Sequence, residues 1–331
     1  MSHILLTGAN GQIGSELVDA LRERHGPEQV VRLDLKPPPA ANGRSPSGPF
    51  EVADVRDREA LAAVVEDYEI DVIYHLASLL SATGEQAPQR AWTVNVDGLR
   101  NVLELAREHD LRVFWPSSIA VFGPSTPKAD TPQQTVLDPG TIYGVTKRSG
   151  ELLCQYYHRR YGLDVRSLRF PGLISHETAP GGGTTDYAVD MHERAAAGED
   201  YTCFLAADTR LPMMYMPDAL RAILELMAAD AEALSVRDSY NVGALSFSPR
   251  ELADALRRHV PGFSCTYEPD ERQAIADDWP ASVDDHPARE DWGWAPAYDL
   301  DAMTDDMLSH LRKGEREYGS VGERERGSGE A

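Results

Sequence analysis

The chain has 331 residues, with 54 acidic side chains against 32 Lys and Arg, a formal charge of −22. Such a surface repels nucleic acid and anionic membranes, and only Lys36, Lys128, Lys147 and Lys313 among the cations are lysine. Hydrophobic residues make up 42% and charged residues 26%, no run of about 18 apolar residues exists, and Cys154, Cys203 and Cys265 stand far apart, which excludes a disordered chain, a membrane-spanning helix and a disulfide framework.

No charged leader with a cleavage site precedes the first apolar run, so a cytoplasmic protein is expected. Residues 3–35 read as strand, turn, helix and strand: an apolar run at 4–6, glycines, an amphipathic stretch at 13–21, then Val30, Val31 and Leu33. Residues 37–49, rich in Pro and Gly, are a surface loop. Helical patterns follow at 58–68, 95–108, 143–161 and 217–229, with apolar strand-like runs at 72–76, 112–115 and 165–170. This alternation predicts an α/β fold, a Rossmann-type doubly wound parallel sheet. Residues 1–174 are expected to form this sheet domain, with 215–245 returning to it. A smaller substrate-binding lobe takes 175–214 and 246–312, and 313–331 read as a disordered tail. The charges of 281–291 read most simply as a solvated loop.

Gly8, Gly11 and Gly14 stand as G-x-x-G-x-x-G between the first strand and the first helix. Bare backbone approaches a pyrophosphate closely there, and the helix N-terminus favours the anion. Asp34 ends the second strand, where a carboxylate binds ribose hydroxyls and repels a 2′-phosphate, so NAD is expected over NADP. Asp54 with Val55, and Leu76, Ala77 and Ser78, end the third and fourth strands, the edge where such sheets bind ligands. For Asp54 a helix N-cap or turn role weighs as much as an adenine contact. Tyr143 and Lys147 share one helix face at i and i+4. A phenol titrates near ~10, and an adjacent ammonium favours its phenolate. Ser117 and Ser118 end the preceding strand and offer a third hydroxyl. The histidines show no H-x-x-x-H spacing, so no metal site is expected. Met213, Met214 and Met216 are expected in the core.

Taken together, GANGQIG (8–14), Asp34, HLAS (75–78), NVDG (95–98), PSSIAVFG (116–123) and YGVTK (143–147) resemble the extended short-chain dehydrogenase/reductase family. The resemblance implies Tyr143 as acid/base, Lys147 as its electrostatic partner and ribose ligand, and Ser118 as the hydroxyl that orients the substrate oxygen. It implies NAD contacts from Gly8, Asn10, Gly11, Gln12, Ile13, Gly14, Asp34, Asp54, Val55, Leu76, Ala77, Ser78, Asn95, Tyr143, Lys147 and Pro171. Within the family, LLSATGE (79–85), PGLISHETAPGGGTTDYAVDM (171–191), TRLPMMYMPDAL (209–220) and ADDWP (276–280) are similar to the short-chain, metal-independent L-threonine 3-dehydrogenases. That implies L-threonine as the small-molecule substrate, with Ser81, Ser118, Tyr143, Thr185 and Trp279 around it and backbone amides of 181–183 available to its carboxylate. The alternative is a nucleotide-sugar 4-epimerase or dehydratase, whose R-x-F-N pattern this chain replaces with RFPG (169–172). Between 171 and 300 the chain holds 9 Arg and no Lys against 24 Asp plus Glu, a poor setting for a sugar nucleotide's diphosphate. The resemblance also implies a homodimer through helices 95–108 and 143–161.

Overall fold

The computed structural model describes residues 2–38, 47–178 and 183–312. The expected tail and the residues 181 and 182 of the glycine run lie outside these. Strand β1 (Ile4–Thr7) is wholly buried and turns through Gly8 into helix α1 (Gln12–His25). Gly8 sits at φ 72°, and a Cβ there would lie 2.6 Å from the Ala77 amide nitrogen, so the turn requires glycine. Next come β2 (Val30–Asp34), β3 (Phe50–Val52), α2 (Arg58–Asp67), β4 (Val72–His75), α3 (Ser81–Gln86) and α4 (Pro88–Trp92). A π-helical turn at Thr93–Asp97 runs into α5 (Gly98–His109), so the helix expected from residue 95 opens with a wider coil. β5 (Arg112–Ser118), α6 (Ile142–Tyr161) and β6 (Val165–Phe170) follow.

The remaining elements are β7 (Gly172–Ile174), α7 (Tyr187–Ala196), β8 (Tyr201–Cys203), β9 (Leu211–Tyr215), α8 (Met216–Ala228), β10 (Tyr240–Asn241), β11 (Leu245–Phe247), α9 (Pro249–His259), β12 (Cys265–Tyr267), α10 (Arg272–Asp278) and α11 (His286–Trp292). A last helix, α12, runs over 300–312. The main sheet has the order β10-β6-β5-β4-β1-β2-β3, every pair parallel. The strand order reverses between β1 and β4, the place where doubly wound sheets open a crevice.

Burial explains the layering. Leu61, Val64, Leu99, Val102, Leu103, Cys154 and Tyr157 cover one sheet face from α2, α5 and α6. Leu17, Val18 and Leu21 of α1, with Ala219, Ile223 and Leu226 of α8, cover the other. A separate core gathers Tyr187, Met191, Leu211, Met213, Phe247, Leu252, Met303 and Met307 around the small sheet β11-β9-β7 and the pair β12-β8. Met213, Met214 and Met216 are fully buried. The expected solvated loop at 281–291 is a correction. Asp285 is buried, accepts the Gly243 amide at 3.1 Å and binds Arg289, while Asp291 accepts the Tyr240 hydroxyl at 2.5 Å. These carboxylates pin α11 to the strand end at β10.

Candidate active site

Small residues set α6 against the end of β5. A Cβ at Gly144 would lie 2.1 Å from the Ala120 carbonyl oxygen, and one at Gly150 would meet the Trp115 ring at 2.4 Å. The Thr141 hydroxyl caps the helix by accepting the Gly144 amide at 3.1 Å. This close approach brings Tyr143 and Lys147 to Ser118. Lys147 is buried, donates from Nζ to the Pro116 carbonyl at 2.7 Å, and stands 4.8 Å and 5.5 Å from the Trp115 and Tyr143 ring centres. Ser118 Oγ accepts the Ala120 amide at 3.2 Å, which leaves its own proton to donate.

Burial governs the titration of the pair. It pushes the Tyr143 phenol up to about 12, against the opposing hydrogen bond from Ser118. It pushes Lys147 down to about 7, against the opposing influence of nearby Glu151. In the protein alone, therefore, desolvation outweighs the expected help of the ammonium to the phenolate. One turn beyond Lys147, fully buried Glu151 accepts the Ser117 hydroxyl at 2.7 Å and pairs with Arg169 at 2.7 Å. Ser117 thus supports the site while Ser118 faces the cleft with Tyr143.

One cleft of about 1110 Å³ is lined by Gly8, Gly11, Gln12, Ile13, Gly14, Leu76, Ser78, Ser81, Ser118, Tyr143, Lys147, Pro171, Gly172, Thr185, Asp186 and Trp279, among others. It continues, through Gly8, Gly11, Leu76 and Ser78, into a second cavity of about 860 Å³ lined by Asn10, Asp34, Asp54, Val55, Ala77 and Arg90. Gly14 is closed by packing, since a Cβ there would lie 2.3 Å from the Gly8 carbonyl oxygen. The Asp34 carboxylate accepts the Asn10 amide at 2.9 Å and the Leu35 amide at 2.7 Å. Asp54 is held by the Arg56 guanidinium at 2.5 Å, and the hydrogen bond from Arg56 lowers its carboxyl below the ordinary range. The cap of α2 is Asp57, and Asp54 takes the turn role, accepting the Arg56 amide at 2.9 Å.

Asn95 differs from expectation. It is buried, its Oδ1 accepts the Leu79 amide at 2.8 Å, and its Nδ2 donates to Leu79 O and Thr146 Oγ1 at 3.0 Å each. It lines neither cavity and instead ties the segment after β4 to α6. No histidine pair shows that spacing, but the fold brings His176 beside Asp306 and His310 of α12. Gly172 also carries more than its sequence position suggested: a Cβ would lie 2.7 Å from Thr185 Cβ and 2.4 Å from Met213 Sδ.

The sequence profile of the NAD-dependent epimerase/dehydratase family matches residues 4–243. The chain belongs to that family. Among family relatives, an uncharacterised epimerase/dehydratase of Staphylococcus haemolyticus is 50% identical over 317 residues, 96% of this chain and 99% of its own. A solved partial-consensus L-threonine 3-dehydrogenase is 57% identical, with a TM-score of 0.90 over 94% of this chain and 99% of that one. The L-threonine dehydrogenase of Cupriavidus necator in its holo form is 56% identical, with a TM-score of 0.90 over 93% and 99%. A monomeric L-threonine 3-dehydrogenase from a metagenome is 48% identical, with a TM-score of 0.89 over 94% and 99%.

As in this epimerase/dehydratase family generally, the cofactor is NAD. The chain's own atoms suit it. Gln12 Nε2 is buried without a partner among the described residues and lines the cleft at the α1 N-terminus, where a pyrophosphate oxygen would accept from it. Among the described residues, no helix is long and apolar enough to cross a membrane.

Proposed function

We propose that this family member oxidises the 3-hydroxyl of L-threonine to the ketone, giving 2-amino-3-oxobutanoate and NADH. The observation that carries this reading is the lining of the cleft. Among its described lining residues, Lys147 is the one cation, and Pro116 already engages it. A sugar nucleotide's diphosphate would find no guanidinium there, whereas Ser81, Ser118 and Thr185 suit a small zwitterion. Trp279 closes the same cleft.

In this reading Gly8, Gly11, Gln12, Ile13, Gly14 and Pro171 hold the dinucleotide in the cleft, and Asn10, Asp34, Val55 and Ala77 line its adenosine end. NAD, when bound, supplies the acceptor for the C3 hydride. Tyr143 takes the hydroxyl proton, and Ser118, with its oxygen committed to Ala120, donates to the substrate oxygen. Lys147 sets the charge beside Tyr143. Proton and hydride leave one carbinol, so alignment of both acceptors supplies much of the rate.

Absorbance of reduced nicotinamide should grow with purified protein, NAD and L-threonine, and Tyr143→Phe should abolish it. The rate should climb from neutral toward alkaline pH, because burial holds the phenol protonated. A flat profile from pH 6 to 10 would remove Tyr143 as the base. Silence with threonine beside turnover of a uridine diphosphate hexose would instead favour the epimerase or dehydratase that the curated relative's name suggests.

We further infer a cytoplasmic homodimer whose NAD-binding unit is residues 1–174 with 215–245 and whose substrate lobe is the rest of 175–312. Val145, Leu152 and Tyr156 are 37%, 50% and 52% exposed along one stripe of α6, a surface a second copy would bury. Light scattering should give twice the chain mass, and Leu152→Glu should halve it. A single-chain mass in the unmutated protein overturns this.

A further inference from the structure

Outside the cleft, β7 leads to His176, while Asp306 and His310 stand one turn apart on α12 and present their heads on one side. One candidate ligand atom from each lies within 4.8 Å of the others. The two imidazoles stack with centres 4.0 Å apart, an arrangement two charged rings would resist.

The hydrogen bonds fix which nitrogens are free. The Tyr215 hydroxyl donates to Asp306 Oδ2 at 2.7 Å, so it accepts from His176 Nδ1 at 3.0 Å. His310 Nδ1 donates to the Asp306 carbonyl at 2.9 Å. Both protons are thereby placed on Nδ1, which leaves the Nε2 lone pairs for a ligand bond. A second shell that binds one ring nitrogen and presents the other is the support that metal-ligating histidines have. Glu177 Oε1 lies 3.8 Å from His176 Nε2 and adds a further oxygen.

We propose that His176, Asp306 and His310 form a binding site for a divalent transition cation of the zinc class, with Glu177 and solvent completing the shell. Imidazole and carboxylate donors suit such a cation better than magnesium or calcium. Tetrahedral ligands about 2.1 Å from zinc lie about 3.4 Å from one another, so binding would draw the three side chains together from within 4.8 Å. None of the three residues lines the cleft, so the cation would act on the framework. It would clamp α12 to the segment 175–178. That segment is already fastened to α1, where Ser175 donates to Glu16 at 2.5 Å and Ser15 meets Thr178 at 3.0 Å.

Titration calorimetry of chelator-treated protein with zinc chloride, in molar salt to screen the acidic surface, tests this. One saturable site per chain is expected, together with a rise in Tm. His310→Ala should weaken binding at least about tenfold while leaving circular dichroism and NAD affinity as they were. His176→Ala should do the same. Magnesium should neither bind saturably nor compete. A His310→Ala titration that overlays the parent, or competition by magnesium at equal concentration, overturns the site.

Discussion

Gly172 and Thr185 occupy one space. With hydrogen alone at 172, Thr185 lines the cleft, and Met213 packs against the same glycine. Any side chain there would drive Thr185 off its place or strain β7 against β9. Gly172→Asn is therefore expected to raise KM for threonine by roughly tenfold to a hundredfold, since ångström displacements at a positioning residue cost about that much. Equal KM values in parent and variant would separate Thr185 from substrate binding. At this scale the sequence is readable where chemistry is local: G-x-x-G-x-x-G and Y-x-x-x-K each lie within one turn or helix. Asn95 was not readable, because its destination depends on the π-helical turn that aims it at Leu79.

Among the elements, α9 has the most complete terminus. Ser248 accepts the Glu251 amide at 3.3 Å, and the Glu251 carboxylate accepts the Ser248 amide at 2.7 Å. Ser248→Ala should cost about 1 kcal/mol, read as a lower urea midpoint at unchanged slope. The alternating apolar runs announce the parallel sheet. Elements whose role depends on distant partners were silent. Asp285 and Asp291 look like surface charge until β10 is placed beside them, and His176 gains its neighbours only when α12 packs on the second core. Periodicity reports which face is apolar but not which distant segment that face meets.

For the molecule as a whole, burial places protons unequally. It pushes His75 down to about 3 and His192 down to about 4, while both titrate near ~6.5 in the unfolded chain. Between pH 6.5 and 4 the unfolded state then binds protons that the folded state refuses, and stability falls with pH. Each group contributes about 1.4 kcal/mol per pH unit across that window. Glu16, pushed up to about 7 by burial, opposes them: its stabilisation is present at low pH and is lost as pH rises through 7. Unfolding midpoints should thus drop from pH 6.5 to 4.5. His192→Asn, which keeps a group near the Ala188 carbonyl but cannot titrate, should flatten the slope; an unchanged slope would mean His192 titrates normally. The surplus of 22 acidic charges predicts a Tm that rises from dilute to molar potassium chloride, as screening relieves repulsion. A Tm independent of salt would mark those charges as too far apart to matter.

The position of β10 sets an order of events during synthesis. It pairs with β6, Tyr240 opposite Leu168 and Asn241 opposite Arg169, although some seventy residues separate them. Until that stretch has left the ribosome, β6 is a bare edge, and Arg169 lacks the Asn241 oxygen it donates to at 3.1 Å. The first 174 residues cannot close their own sheet while the chain is still growing. Closure waits for residues 175–239 to be made first, so the β6 edge stays unpaired through that stretch of synthesis.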